Sequence, residues 1–489
     1  MTNLKIKKMR KLLIYIPVVL LACACTKNIQ DLNTNQKAAI TVPAASVFLA
    51  GEKNLVDNVT STSGSIDPFR FFAQTWTQIT YTSEAQYILT QYNSPDNWWG
   101  VLYGGVNSGV LNNLSNAKAV FPSNAPTPGI LKNDLIITDI LEVYAYNLLV
   151  TTYGNVPYTE ANNRSIPFPK YDDAKTVYAD LLTRLDTCIA GLNSSSTAMD
   201  AADQIYNGDP AAWKKFAATL KLKMAMLLAD TDPATASKKV QEAVASGVFA
   251  SNADNAIFVY QSAPTGNTNP VWQAAINSGR HDNVPANTLV NQMVAWNDPR
   301  LPLYFTTVGG AYIGGQPGAG NSYIGASTFS DQMLKPTFPG DLMDYAETEF
   351  LLAEAVERGF PVAGTAEDHY NKAVMASIQF WGGSIADANT YLAQPAVAYA
   401  TATGDYKRKI GYQKWIALYN RGWDAWTSIR RLGYPDINTI NPPYGAISPL
   451  PLRFYYPLAE QSANAINYKA AVQAIGGSDL VTTRLFWMK

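Results

Sequence analysis

The chain has 489 residues, with 37 basic against 38 acidic side chains and 3 cysteines. This near-neutral balance, without a basic stripe, argues against nucleic acid as a partner and offers no patch for phosphate or anionic lipid. A core of this size supplies stability by itself, so the chain needs no disulfides even if exported.

The N-terminus reads as an export signal. Lys5, Lys7, Lys8, Arg10 and Lys11 form a basic stretch without an acid, and an apolar run follows from Leu12 to Ala22. That run is too short to cross a hydrocarbon core of ~30 Å as a helix, but it has the length of a signal-peptide apolar segment. Next come Ala22-Cys23-Ala24-Cys25 and then polar sequence. A small residue before a cysteine suits lipoprotein processing, in which the thiol takes a diacylglyceryl group and the cysteine becomes the new N-terminus. Each buried methylene of such chains contributes roughly 0.8 kcal/mol to membrane attachment. Cys23 has Leu20 at the favoured third place upstream, whereas Cys25 opens directly into the polar tether and is preferred for lipid attachment. Residues 1–24 are then the signal and 25–489 one domain. An ordinary secretory cut near Ala24 is the alternative. Removing the five basic residues lowers 37 to 32 against 38 acids, a net charge of about −6. Cys188, within a helical pattern, reads as a small core hydrophobe.

Further along, apolar residues recur at helical spacing. Ile137, Leu141, Tyr144 and Leu148 form one stripe, and Trp213, Phe216, Leu220, Met224 and Leu227 a second. Tyr370, Val374, Ile378 and Trp381 form a third, and Tyr412, Ile416, Tyr419, Trp423 and Trp426 a fourth. Alternating patterns are scarce, Ala256 to Tyr260 being one short strand candidate. The spacing predicts helices in neighbouring pairs, 130–153 with 171–192, 212–230 with 233–246, and 342–358 with 366–381. Such pairing suggests helical-repeat packing, although no clean period of about 34 residues is visible. Long Gly/Asn/Ser/Pro-rich stretches at 60–68, 92–109, 262–285, 309–341 and 437–451 separate the pairs, and connections of this length carry function or are mobile. No second apolar stretch reaches the ~20 residues of a membrane span, so the body reads as soluble. The fold class is mainly α, one large domain with paired helices and loop-rich parts.

Most of the 11 Trp and 28 Tyr must serve packing, but an excess of this kind is also what sugar-binding surfaces carry. Aromatic faces stack on the C–H face of a pyranose while a phenol or indole N–H reaches its hydroxyls. The stretch from Trp76 to Tyr103 is the first candidate for ligand contact, with Trp76, Tyr81, Tyr87, Tyr92, Trp98 and Trp99 among Gln, Asn and Asp side chains. Trp99 and Tyr103, four apart at the start of an apparent helix, also fit plain packing. The second candidate runs from Asn269 to Asn283 and contains Trp272, Arg280, His281 and Asp282. A lone loop histidine beside an arginine is more often a surface hydrogen-bonding group than a metal ligand. The Gly-rich segment Gly309–Gly325 lacks the preceding strand and the Gly-Lys-Ser/Thr ending of a phosphate loop. It reads as a mobile stretch or a ligand-covering flap carrying Tyr312 and Tyr323. HExxH, GxSxG and CxxC are absent, and two histidines do not build a zinc site. No catalytic residue, metal site or cofactor is therefore assigned. Asp200, Asp203 and Asp209 miss EF-hand spacing and read as solvated loop acids.

Seven segments, taken in order, resemble the SusD-like branch of the SusD/RagB family of outer-membrane nutrient-binding lipoproteins. They are CTKNIQDLNTN (Cys25–Asn35), YGNVPYTEA with PKYDDAKTVYADLLTRLD (Tyr153–Ala161, Pro169–Asp186), YNGDPAAWKKFAATLKLKMAMLL (Tyr206–Leu228), NDPRLPLYF (Asn297–Phe305), YAETEFLLAEAVERG (Tyr345–Gly359), QKWIALYNRGWDAWTSIRRLGYP (Gln413–Pro435) and RFYYPLAEQSANAINY (Arg453–Tyr468). The run AATLKLK (Ala217–Lys223) departs from an Asn-Ser-Leu-Arg-like run that is commoner in the family, which bears on local packing. Within these blocks Trp213, Lys214 and Phe216 read as the start of a packing helix. Arg300, Arg430 and Arg431 read as ties between loops and helix ends, and Trp415, Trp423 and Trp426 as core on one helical face. The resemblance implies a fold of tetratricopeptide-like helix pairs carrying a large irregular loop-rich region, and a protein on the outer face of the outer membrane, above a SusC-like TonB-dependent transporter. It would capture an oligosaccharide, or in some relatives a peptide, and close as a lid. A lipid-anchored glycoside hydrolase, whose carboxylates carry no short signature, and a scaffold subunit without a nutrient ligand are the alternatives.

Overall fold

Helix boundaries follow from local chemistry. A side-chain oxygen caps the first free backbone N–H groups at Thr127, Asp173, Asp209, Asp232, Asp344, Thr365, Ser384 and Asp405. Pro128, Pro210 and Pro233 open three of these helices at the place where a missing N–H costs nothing. The computed structural model describes residues 42–104, 109–163 and 165–489. The signal segment, Cys23, Cys25 and the tether to residue 41 lie outside the described residues.

The principal helices are α1 (Ala44–Val59), α2 (Ser94–Tyr103), α3 (Val110–Asn124), α4 (Pro128–Tyr153), α5 (Ala174–Gly191), α6 (Pro210–Leu227), α7 (Pro233–Ser246), α8 (Asn287–Ala295), α9 (Tyr345–Glu357), α10 (Ala366–Phe380), α11 (Ile385–Leu392), α12 (Tyr406–Ala417), α13 (Gly422–Leu432) and α14 (Ala465–Ala474). Consecutive helices pack as α4–α5, α6–α7, α9–α10 and α12–α13, so the mainly helical, paired architecture expected from the periodicity is the one observed. One apolar core runs through most of the unit Ala44–Lys489. Two smaller cores fill the gaps between pairs. Leu222 and Met226 of α6, Val240 of α7 and Leu351 of α9 form one. Phe350 of α9, Val374 and Ile378 of α10 and Ile410 of α12 form the other.

Three sequence expectations need correction. The fourth apolar stripe is not one helix, because α12 ends at Ala417 and α13 begins at Gly422. A Cβ at position 422 would lie 2.6 Å from the Arg70 backbone nitrogen, and Arg70 binds the buried carbonyl of Asn420 in the break. Trp415 therefore sits on a different helix from Trp423 and Trp426, although all three are buried. Asp203 is buried rather than solvated; its carboxylate accepts from the backbone N–H of Ile205, Tyr206 and Gly208 and from Trp213 Nε1 at 2.6 Å. Finally, α4 is long and apolar enough to cross a membrane, yet 83% of its most apolar window is covered by protein. It is the central helix of the core, and Cys188 of α5 is buried beside it.

The family departure at Ala217–Lys223 has a structural counterpart. Lys221 reaches Glu242 at 2.7 Å and Asp186, while Lys223 lies between Glu347 and Asp424. Lys414 and Arg421 complete this buried cluster, at 3.2 and 2.6 Å from Glu347. Burial works against the Glu347 charge, but Lys223, Arg421 and Lys414 together hold its carboxyl well below the usual range. The cluster couples α6, α9, α12 and α13.

Two short ladders complete the fold. β2 (Ala256–Phe258) pairs antiparallel with β4 (Gly340–Met343), placing a strand within the stretch expected to hold one. β1 (Trp76–Gln78) pairs antiparallel with β3 (Asn283–Pro285) in the register Trp76 to Pro285 and Gln78 to Asn283. This second ladder positions the candidate site.

Candidate ligand-binding cleft

The β1–β3 register sets Gln78 opposite Asn283, so the residues after β1 and those before β3 emerge side by side. The Ile79 N–H donates to the Asp282 carbonyl at 2.8 Å and extends the junction by one step. The two aromatic and polar clusters singled out in the sequence, some 200 positions apart, thereby meet. Between them and the turn Thr62–Ser65 opens a cleft of about 220 Å³. That is below the ~300–1,000 Å³ of pockets that enclose a whole drug-sized ligand. The cleft can seat one residue of a longer ligand, with the remainder lying on the surface.

Tyr81 and Tyr92 stand at its mouth, 53% and 37% exposed, with ring centroids 6.4 Å apart and nearly perpendicular planes. Arg280 and Asp282, ion-paired at 2.6 Å, form a charged lip. The interior is polar. Gln78 Nε2 donates to Glu84 Oε2 at 2.9 Å, and Gln78 Oε1 accepts from the Ala85 N–H at 3.1 Å. Glu84 is 1% exposed, and its Oε1 has no hydrogen-bond donor from another described residue. Burial raises the Glu84 carboxyl above its ordinary range, and the Gln78 amide together with Glu84's own backbone N–H only partly offsets this. Gly64 is required opposite them: a Cβ there would lie 2.9 Å from Phe71, 3.0 Å from Gln78 Nε2 and 3.1 Å from Glu84 Oε2.

The surrounding loops are braced by side-chain amides. Asn97 Nδ2 donates to the carbonyls of Ser65 and Tyr92 at 3.1 and 2.9 Å, and Asn283 Nδ2 to that of Thr62 at 3.0 Å. Asn321, from the Gly-rich segment, donates to the carbonyls of Gln78, Gln316 and Ala319. That segment is thus pinned against β1. Its Tyr323 stacks on His281 with centroids 4.1 Å apart, and both line a smaller hollow adjoining the cleft.

The remaining sequence candidates lie elsewhere. Trp76, Tyr87 and Trp98 are 1%, 2% and 0% exposed, so none presents a ring face to a ligand. Trp76 packs on Phe329 and under the Arg70 guanidinium, and Trp98 meets Phe69 edge-on at 5.1 Å. Tyr87 accepts from Gln74 Nε2 at 3.3 Å, and burial pushes its hydroxyl up to about 12. Trp99 packs against Tyr103 and Tyr153 and borders a separate broad hollow with Asn112, Asn162 and Glu460. Trp272 is half-buried in a one-turn helix and lines neither. Glu84 and Gly64 escaped the sequence reading, and Gln78 entered it only among the Gln side chains near the aromatics, since nothing marks such residues until the ladder closes over them. No group of acids, histidines and cysteines suited to a metal ion occurs among the described residues.

A family model described as "Starch-binding associating with outer membrane" matches residues 34–457. Among solved structures, one titled a chitin-binding protein is 27% identical, covers 91% of this chain and 99% of its own, and superposes with a TM-score of 0.77. A SusD-like protein from Bacteroides thetaiotaomicron is 26% identical over 91% and 99%, with a TM-score of 0.74. A SusD homologue from Bacteroides fragilis, 24% identical over 92% and 100% with a TM-score of 0.75, shares the fold. No curated protein matches the sequence. With a family match over most of its length and this set of solved homologues, the chain belongs to the SusD-like family, whose description is starch-binding in association with the outer membrane.

Proposed function

We propose that the chain is a cell-surface lipoprotein, anchored through Cys25, that captures a glycan and delivers it to a SusC-like TonB-dependent transporter. The observation that carries this reading is the pair Tyr81 and Tyr92, exposed and mutually perpendicular at the mouth of a polar cleft. One ring can stack on a pyranose while the second meets its edge, and the amides and carboxylates within can hydrogen-bond its hydroxyls. The family description and the neighbour titled a chitin-binding protein favour a carbohydrate over a peptide. Capture needs no bond made or broken, and the cleft's role is binding alone. Residues 25–489 act as one domain on a lipid tether.

Calorimetry against glycan and peptide libraries tests the reading. Binding of an oligosaccharide that drops at least tenfold in the pair Tyr81→Ala and Tyr92→Ala is the expected result. Binding of a glycan that ignores both substitutions overturns the site. Hydrolysis of the bound glycan, lost on replacing one carboxylate, overturns the binding-only role. Co-purification with the barrel without any ligand favours a scaffold subunit. Mass spectrometry of the mature N-terminus distinguishes Cys25 from Cys23.

A further inference from the structure

We infer that Glu84 sets the ligand class of the cleft, selecting sugars that present an amine, amide or hydroxyl donor and rejecting acidic ones. The inference rests on the proposal that the cleft binds a glycan. Three features of the cleft support it. Glu84 is 1% exposed although it lines the cleft, and Oε1 receives no donor from another described residue while Oε2 is occupied by Gln78. A buried carboxylate whose donors are only the Gln78 amide and its own backbone N–H is under-satisfied, and an incoming donor relieves that cost. The charge balance around it is negative. The cleft carries Glu84, Asp282 and a single cation, Arg280, whose guanidinium is engaged by Asp282. Finally, Gly64 removes the side chain that would otherwise fill the space against Glu84 and Gln78.

The physics gives a direction. Burial alone raises the Glu84 carboxyl, so the empty site holds a charge at a disadvantage. An ammonium or N–H placed at Oε1 offsets that disadvantage, and a uronate carboxylate placed there deepens it. Neutral hydroxyl-rich sugars fall between, because a hydroxyl donates without carrying charge.

The full-length lipidated protein in detergent can be titrated with three probes of equal length: a glucosamine tetramer, an N-acetylglucosamine tetramer and a galacturonate tetramer. The expected order is basic tightest, neutral intermediate and acidic weakest, with basic and acidic separated by at least about tenfold. Glu84→Gln removes the charge at nearly constant shape and should compress the basic-to-acidic ratio about tenfold. Gln78→Met removes the donor to Oε2, leaves Glu84 more in need of one, and should widen the ratio. It decides the matter if Glu84→Gln fails to fold. A ratio unmoved by both variants, with the neutral tetramer bound by the unaltered protein, overturns the role of Glu84 and leaves the cleft reading standing. Failure of the unaltered protein to bind any of the three, while another glycan binds in a Tyr81- and Tyr92-dependent way, overturns the role of Glu84 alone, and failure to bind any glycan overturns both.

Discussion

Arg70 and Asn420 are joined across 350 positions of sequence: the guanidinium donates from Nε and Nη2 to the Asn420 carbonyl at 3.1 and 2.8 Å. The same group pairs with Asp67 at 2.7 Å and lies on the face of Trp76. It therefore holds the break between α12 and α13 to the first turn of the cleft scaffold. Asp67 is buried, and its carboxyl is already pushed up to about 6 by burial, against the pull of Arg70. Arg70→Met would leave Asp67 without its cation and the Asn420 carbonyl without a donor. A loss of about 3–5 kcal/mol is expected in urea unfolding. A loss below about 1 kcal/mol would show that the break holds without Arg70.

Trp98 and Tyr92, six positions apart, should separate cleanly. Trp98 is fully buried against Phe69 and contributes packing, so Trp98→Ala should cost about 3–5 kcal/mol of stability. Tyr92 is exposed at the cleft mouth, so Tyr92→Ala should change stability by about 0.5 kcal/mol or less while weakening glycan binding about tenfold. Thermal melting and calorimetry on the same two proteins provide the comparison. A stability loss at Tyr92 equal to that at Trp98 would contradict the assignment.

Gly64 gives a steric test. Alanine there must displace Phe71 or the Gln78–Glu84 pair, and overpacking of this kind costs about 1–3 kcal/mol. Ligand affinity should fall together with stability, because the Gln78–Glu84 pair that must shift lines the cleft. Gly100, where a Cβ would meet nothing within 4 Å, is the matched control and should tolerate alanine. Equal effects at the two positions would refute the close approach at Gly64.

His369 of α10 supplies a pH dependence. Its Nδ1 lies 2.5 Å from Glu349 of α9 and its Nε2 2.8 Å from the Ala363 carbonyl. Burial lowers its basicity, but Glu349 and that carbonyl outweigh burial, so the ring's pKa is raised above 6.5 in the folded protein. A raised value means the folded state holds the proton more tightly than the unfolded one. The contribution is complete below the unfolded value and fades as pH climbs through the folded one. The melting-temperature gap between the natural protein and His369→Gln should be larger at pH 5.5 than at pH 9. A gap that grows with pH would mean that the ring folds neutral.

Legibility followed the range of the interactions involved. Caps such as Asp173 and Asp209, prolines at helix starts and apolar spacing act within one or two turns, and they marked the helix pairs to within a few residues. The fourth stripe misled because periodicity records which residues are buried and says nothing of the chain's continuity. Trp415, Trp423 and Trp426 are all buried, yet a turn held by Arg70 divides them.

The same limit applies to the cleft. Tyr81, Tyr92, Arg280 and Asp282 stood out as aromatic and charged residues in loops, and so did Trp76, Tyr87 and Trp98, which the core absorbs. Composition distinguishes neither group, because an indole buries as readily as it stacks on a sugar. By itself the sequence determined the helix pairs and the family, both of which rest on local pattern. Only the tertiary structure decided which aromatics remain exposed and that Glu84 Oε1 receives no donor from another described residue. Both outcomes depend on the pairing of Gln78 with Asn283 across some 200 residues, and no local preference encodes that contact.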